Sequence, residues 1–533
     1  MNTKLLLLGV VILGFFLRVI FFNVSPLSLY GDELTITLDA YSLLKTGHDQ
    51  LGNLLPLTFQ MGAGRPPGYV YLSIPFIALF GPTPLGVRGL SILSGIGIIL
   101  LGYFISKKLF SKNIGLITAG LLAVSPWDIS LSRGGFEAHL ALFFVLLGTY
   151  LFIKASEKPS LYILSALNFG LTLHTYPTYK VTLPLFLLLL LWFCGTRVLV
   201  KGRKYFTVGV IVLFILAAAV LSQTFIGNSE NRFFSINVLS QEGLRSTIEQ
   251  KLNLERSITQ LPQSFAKLFH NKPIEYVKVL GENYLQNFSV DFLFIHGDRN
   301  PRHNMATMGE FYFAEIVLIL IGLISFWYKK RRVILFLIIW VILAPIPTAI
   351  IDLPHALRSA FMFPPLTILS SLGLATLINN RNKLLVPVSI IFLIQLVFFL
   401  QKIYFLAPIE YNHFWSYPAK VASLYAQDNR GYKYVILSDK IDNIEFAYPI
   451  YAQIDPNMII SQNKSKVILG NYQFKKFDNV YIGYIPDGEI EKFTNSLNNV
   501  LFIGSSSSKD NLKNYDTINS PDGLPTLIIK KGK

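Results

Sequence analysis

The sequence predicts a polytopic α-helical membrane protein that ends in a small α/β domain. Three observations predict it. Apolar runs of 18 or more residues recur along the 533-residue chain, each long enough to cross a hydrocarbon core of ~30 Å as a helix. The cations cluster in short loops that fall on alternate connections. From about residue 404 the runs become short and β-rich. With 52% hydrophobic residues and a mean hydropathy of +0.48, the composition excludes an ordinary soluble protein. The net charge of +16 does not point to nucleic acid, because the positive residues lie between apolar runs, where they favour the cytoplasmic side and anionic lipid. The single cysteine, Cys194, excludes an internal disulfide and any cysteine-based zinc site.

About eleven spans are expected, near 5–22, 85–105, 114–131, 138–154, 160–175, 181–196, 206–222, 311–328, 333–351, 359–378 and 384–403. The first lacks a strong basic start and a small-residue cleavage site, and is therefore read as a retained helix. The loops "SKKLFSK", "KASEK", "RVLVKGRK", "YKKRR" and "NNRNK" then share one face, the cytoplasmic one, together with the N-terminus. The opposite, extracytoplasmic face receives two long loops, 23–84 and 223–310, and the domain 404–533. Within the first loop, "GYVYLSIPFIALFG" is short for a span and is expected to lie in the interface. In the domain, "YKYVILSD", "KVILG", "NVYIGYI", "VLFIGSS" and "TLIIKK" read as strands separated by turn residues.

The candidate chemistry lies on the outer face. Asp32 and Glu33, in "SLYGDELTITLD", follow the first span directly. Acids there either cap a helix N-terminus or serve as a general base at the water–lipid boundary. Neighbouring helical residues point ~100° apart, so only one faces a site; Asp32 is that residue and Glu33 its support. Arg65, in "GAGRPPGYVYL", is either a snorkelling cation or a rigidly presented phosphate contact. Glu137, in "SRGGFEAHLALFF", is either a cap or a second site acid, with Arg133 and His139 nearby. In "PHALRSAFMFPP", His355 and Arg358 lie three apart on one face of a helix start, and Arg358 either snorkels or holds a lipid phosphate. Arg18, inside the first span near its outer end, reads as a snorkeller, although an ionisable group at that depth is a site candidate. His296, Asp298 and His303, in "FIHGDRNPRHN", have a spacing that could gather a metal, but such mixtures are common in polar loops and no metal site is expected.

The order of these features resembles the GT-C membrane glycosyltransferases, in particular glycosyltransferase family 39 and its bacterial relatives, the protein O-mannosyltransferases and the lipid A aminoarabinose transferase. The family's acidic pair after the first span is matched by Asp32-Glu33, its basic-Pro-Pro element by Arg65-Pro66-Pro67, its fourth-span acid by Glu137, and its late basic residue before a Pro-rich turn by Arg358 with Pro364-Pro365. Arg stands where Lys is often seen, and Glu where Asp is often seen; both keep the charge. The resemblance covers about 5–403 as an arrangement and implies a GT-C fold. It further implies transfer of a sugar from a polyprenyl phosphate to an acceptor hydroxyl on lipid, glycan or protein, with inversion. Asp32 would be the base, assisted by Glu33 and Glu137, and Arg65, Arg358 and His355 would hold the donor phosphate. The lipid-linked sugar is substrate, no cofactor is implied, and dependence on a divalent metal is not expected but is left open. A prokaryotic plasma membrane is the expected location. The alternative from another class is a transporter or flippase for a lipid-linked saccharide. It is disfavoured by the absence of repeated halves and by charges at the boundary rather than the midplane.

Overall fold

Each apolar run expected to span is helical in the computed structural model, which describes residues 2–61, 64–195, 197–226, 242–351, 353–506 and 515–532. The first ten helices in chain order are α1 (Thr3–Val19), α2 (Gly31–Thr46), α3 (Gly68–Phe80), α4 (Pro84–Leu109), α5 (Lys112–Ala123), α6 (Pro126–Ser132), α7 (Glu137–Lys154), α8 (Leu161–Leu173), α9 (Tyr179–Cys194) and α10 (Arg197–Ile226). Ala314–Trp327, Arg331–Leu343, Phe363–Asn379 and Leu385–Gln401 follow the second long loop. Among the described residues six helical segments are long and apolar enough to cross a membrane. A seventh arises if the bent pair α5–α6 counts as one span. Four further apolar helices, α3, α8, α9 and Ala314–Trp327, are shorter.

The expected span 114–131 is therefore not one straight helix. It breaks between Ala123 and Pro126 with a bend of 57°. Pro126 opens α6, where a missing N–H costs nothing, and the Ser125 hydroxyl accepts from Asp128 N–H as its cap. Part of the expected outer loop 223–310 lies outside the described residues, as does Asp352. The basic segment "RVLVKGRK", expected as a loop, is helical and opens α10, with a kink at Gly202.

Arg18 is a second correction. It does not snorkel: it is completely buried, bonded to Asp128 across 2.5 Å, with His139 Nε2 2.7 Å from the other oxygen of the same carboxylate. A Cβ at Gly95 would lie 2.8 Å from the Arg18 Nε and closer still to Ser132, so α4 can pass this cluster only with glycine there. Arg133 is buried as well. Its guanidinium donates to the carbonyls of Arg18, Ile20, Phe21 and Ser25, which satisfies acceptors left open where α1 ends. Both cations knit α1 to the α6–α7 corner, and their partners lie far away in sequence.

Among the described residues the C-terminal domain carries a seven-stranded sheet. Its strands are β1 (Tyr434–Ser438), β2 (Val467–Leu469), β3 (Tyr472–Phe477), β4 (Val480–Gly483), β5 (Val500–Ser505), β6 (Asp516–Asn519) and β7 (Pro525–Lys531). The order is β2-β3-β4-β1-β5-β7-β6, with β1 parallel to β4 and β5 and the other pairs antiparallel. Side chains alternate between faces. Ile436, Phe502 and Ile528 pack under the short helix Ile490–Asn495. Val435, Leu437, Ile503 and Leu527 enter a core that also contains Leu34, Ile36 and Leu38 of α2, Tyr69 of α3 and Leu140 of α7. At ~1.5–3 kcal/mol for each fully buried aliphatic side chain, this shared core binds the domain to α2 strongly.

Candidate functional site

The helix α2 is fixed from both ends of its first turn. Tyr30 N–H donates to Glu33 Oε2 at 3.2 Å, closing a capping box. Glu33 is fully buried; Arg88 of α4 donates to its two oxygens at 2.6 and 2.7 Å, and Gly135 N–H adds a fourth bond at 2.7 Å. Asn443, from the C-terminal domain, presses against Gly31: a Cβ on Gly31 would stand 2.7 Å from the Asn443 amide oxygen. The geometry of the acidic pair follows. Glu33 points inward as an anchor, and Asp32, its neighbour, keeps 43% of its side chain exposed.

Arg65 reaches this helix from a tight loop. Phe59 and Arg65 exchange both backbone hydrogen bonds, at 3.0 and 2.8 Å, and Pro66 and Pro67 lead directly into α3. The guanidinium is almost wholly buried. Its Nη2 lies 3.2 Å from Asp32 Oδ1, its Nε 2.7 Å from Glu137 Oε1, and its Nη1 donates to Thr35 Oγ1 at 2.8 Å. Burial alone would pull its pKa down, yet the nearby Glu137 and Asp32 carboxylates outweigh that and hold it above the usual arginine value. Glu137, first residue of α7, keeps 14% of its side chain exposed. The structure thus gathers Asp32, Arg65 and Glu137 in one cluster. The arginine expected at a phosphate grips two carboxylates here.

Arg358 and His355 stand in a second group. His355 caps the short helix Ala356–Ser359, its Nδ1 accepting from Leu357 N–H at 3.3 Å. Arg358 is half-buried and forms no ion pair or hydrogen bond among the described residues. The rings of His355 and His303 are 4.3 Å apart, and both approach Asp298. His303 also meets the edge of Phe136, which in turn touches Tyr30. Since Phe136 directly precedes Glu137 and Tyr30 caps α2, this ring contact joins the two groups. His296 is not part of the second group; it pairs with Asp291.

Among the described residues, Asp298, His303 and His355 are the set whose donor atoms lie close enough to hold a metal, all within 4.8 Å of one another. Spacing along "HGDRNPRH" could not have supplied His355. Arg88 belongs to no quoted motif, and Thr35, inside "SLYGDELTITLD", carries no signal of its own, so neither was visible as a partner.

The architecture defines a class. ArnT from Cupriavidus metallidurans, solved with undecaprenyl phosphate bound, superposes with a TM-score of 0.52 at 12% identity, covering 99% of this chain and 97% of that one. The apo oligosaccharyltransferase of Archaeoglobus fulgidus gives 0.50 at 13% identity, over 94% of this chain and 69% of that one. The chain thus shares its fold with these two GT-C neighbours. In sequence, residues 64–222 match the family model described as dolichyl-phosphate-mannose-protein mannosyltransferase. YkcB of Bacillus subtilis (strain 168), a mannosyltransferase by name, is 32% identical over 146 residues, or 26% of this chain. That match spans 20% of YkcB. The matched family segment contains Arg65 and Glu137, while Asp32, His355 and Arg358 lie outside it.

Proposed function

We propose that this protein transfers a sugar from a polyprenyl phosphate to an acceptor hydroxyl at the outer face of a prokaryotic plasma membrane, with inversion at the anomeric carbon. The N-terminus lies in the cytoplasm and the C-terminal domain outside. The observation that carries this reading is the half-exposed Asp32 carboxylate, held by a buried arginine on a helix that is anchored at both flanks.

In this reading Asp32 accepts the proton of the acceptor hydroxyl. The acceptor oxygen forms its bond to the anomeric carbon as the bond to the phosphate oxygen breaks, and polyprenyl phosphate leaves as an anion. Arg65 acts as holder: it fixes Asp32 and Glu137 relative to one another. Glu137 orients the incoming substrate. The leaving phosphate needs positive charge more than a proton, and Arg358 is the available cation, with His355 beside it. A preorganised donor of this kind is worth ~3 kcal/mol in the transition state. The match of residues 64–222 to a family named for a dolichyl-phosphate sugar supports the donor class.

The test is a transfer assay with purified protein and a polyprenyl-phosphate-linked mannose of defined anomeric configuration, with the product linkage read by NMR. Formation of the opposite anomer supports the reading. Movement of intact donor across vesicles without any bond cleavage overturns it.

A further inference from the structure

We propose that Asp298, His303 and His355 form a three-ligand site for a zinc-class divalent cation, with a fourth position open to water or an oxyanion. Two loops build it. Asp298 and His303 come from the segment that precedes Ala314–Trp327, and His355 from the turn that opens Ala356–Ser359. Asp298 Oδ2 is 3.0 Å from His303 Nδ1 and 3.7 Å from His355 Nδ1. Ligands on a tetrahedral ion with bonds of ~2.0–2.1 Å lie ~3.3–3.4 Å apart, so these two separations bracket the required one. All three donors fall within 4.8 Å.

The donor set selects the ion. Two imidazoles and one carboxylate suit zinc or cobalt, whereas magnesium and calcium prefer all-oxygen sites. Binding through Nδ1 replaces the 3.3 Å hydrogen bond from Leu357 N–H to His355 and the His303–Asp298 hydrogen bond, and places each ring proton on Nε2, which makes no hydrogen bond among the described residues.

A supporting shell is present. Ala356 N–H donates to Asp298 Oδ2 at 2.8 Å, Asn300 N–H to Asp298 Oδ1 at 2.8 Å, and the buried Glu310 accepts from Asp298 N–H at 3.0 Å. Such bonds orient a ligating carboxylate before the ion arrives. The His303 and His355 side chains remain 11% and 20% exposed, which leaves one side of the triangle approachable.

The experiment needs no sugar substrate and so stands apart from the transfer reading. Full-length protein in detergent is stripped with chelator, supplied with zinc, desalted and assayed by mass spectrometry, with cobalt as an optical probe. One equivalent of zinc and the intense visible bands of tetrahedral cobalt are expected. His303→Ala and His355→Ala should each lower retention at least tenfold, and Asp298→Asn, which keeps an acceptor for Ala356, should do the same. His296→Ala should retain the full equivalent. Melting curves identify any variant that fails to fold, and X-ray absorption on the wild type gives the ligand set directly. No retained zinc in the wild type overturns the proposal. So does equal retention in folded His355→Ala, an octahedral cobalt spectrum, or displacement of zinc by equimolar magnesium.

Discussion

Arg65 Nε lies 2.7 Å from Glu137 Oε1, and through its other nitrogens the same guanidinium reaches Asp32 and Thr35. One buried side chain thus couples the start of α2 to the start of α7. Removing it should expose that coupling. Arg65→Met is expected to destabilise the protein and to lower transfer. In a Glu137→Gln background its stability cost should shrink by ~0.5–3 kcal/mol, the usual coupling between groups in contact. A double-mutant cycle on thermal melting in detergent measures it. Strict additivity would mean that the pair is not coupled.

Asp32→Asn tests the base. The amide keeps the shape and an oxygen for Arg65 but cannot take a proton. Transfer should fall ~10²–10⁴-fold with the melting temperature almost unchanged. Wild-type turnover in this variant would remove Asp32 from the chemistry.

Glu33 and Arg88 should behave in the opposite way. Both are fully buried and bonded to each other, so removing one charge leaves the other without compensation, at ~3–5 kcal/mol. Glu33→Gln and Arg88→Met should therefore show up first in melting and yield. Loss of turnover without loss of stability would assign Glu33 a chemical role.

Arg358→Ala should leave stability nearly untouched, because the side chain bonds to nothing among the described residues. Its effect should appear as a raised KM for the polyprenyl phosphate donor and a lower kcat/KM. An unchanged donor KM would place the phosphate elsewhere.

Asp39 gives a pH test. Burial raises its pKa to about 7, against the pull of its Gln50 hydrogen bonds. The folded state therefore holds a proton that the unfolded chain has already released above pH ~4. The linkage sign is negative: this group's contribution falls as pH rises from ~4 to ~7 and is level beyond. Asp39→Asn keeps an acceptor for Gln50 without the charge. It should flatten that slope and stabilise the protein at pH 7.5 by a few kcal/mol, at ~1.4 kcal/mol per pKa unit. Equal pH profiles of melting for wild type and variant would contradict this.

The sequence was most legible where local chemistry repeats. Apolar length located the helices, and the "DE", "RPP" and "FEA" elements pointed to residues that do meet in space. It was least legible where the partner is remote. The Arg18–Asp128–His139 cluster and the Glu33–Arg88 pair join separate helices, and nothing in their local pattern announces a buried ion pair. The two unexpected strands have local reasons. In β3 the buried residues are Phe474 and Phe477, with two lysines between, so the alternation is hidden. In β6 no residue is fully buried, because it is the terminal strand of the sheet, and the pattern has no apolar face.

The core shared by α2 and the C-terminal sheet has a practical corollary. Neither piece has a closed surface of its own where they meet, so a cut near residue 404 would leave both halves with raw oily faces and leave Gly31 without Asn443 to brace it. A minimal membrane-only version of this protein should be insoluble or inert. Any swap of the outer portion for that of a relative must bring the matching first outer loop with it.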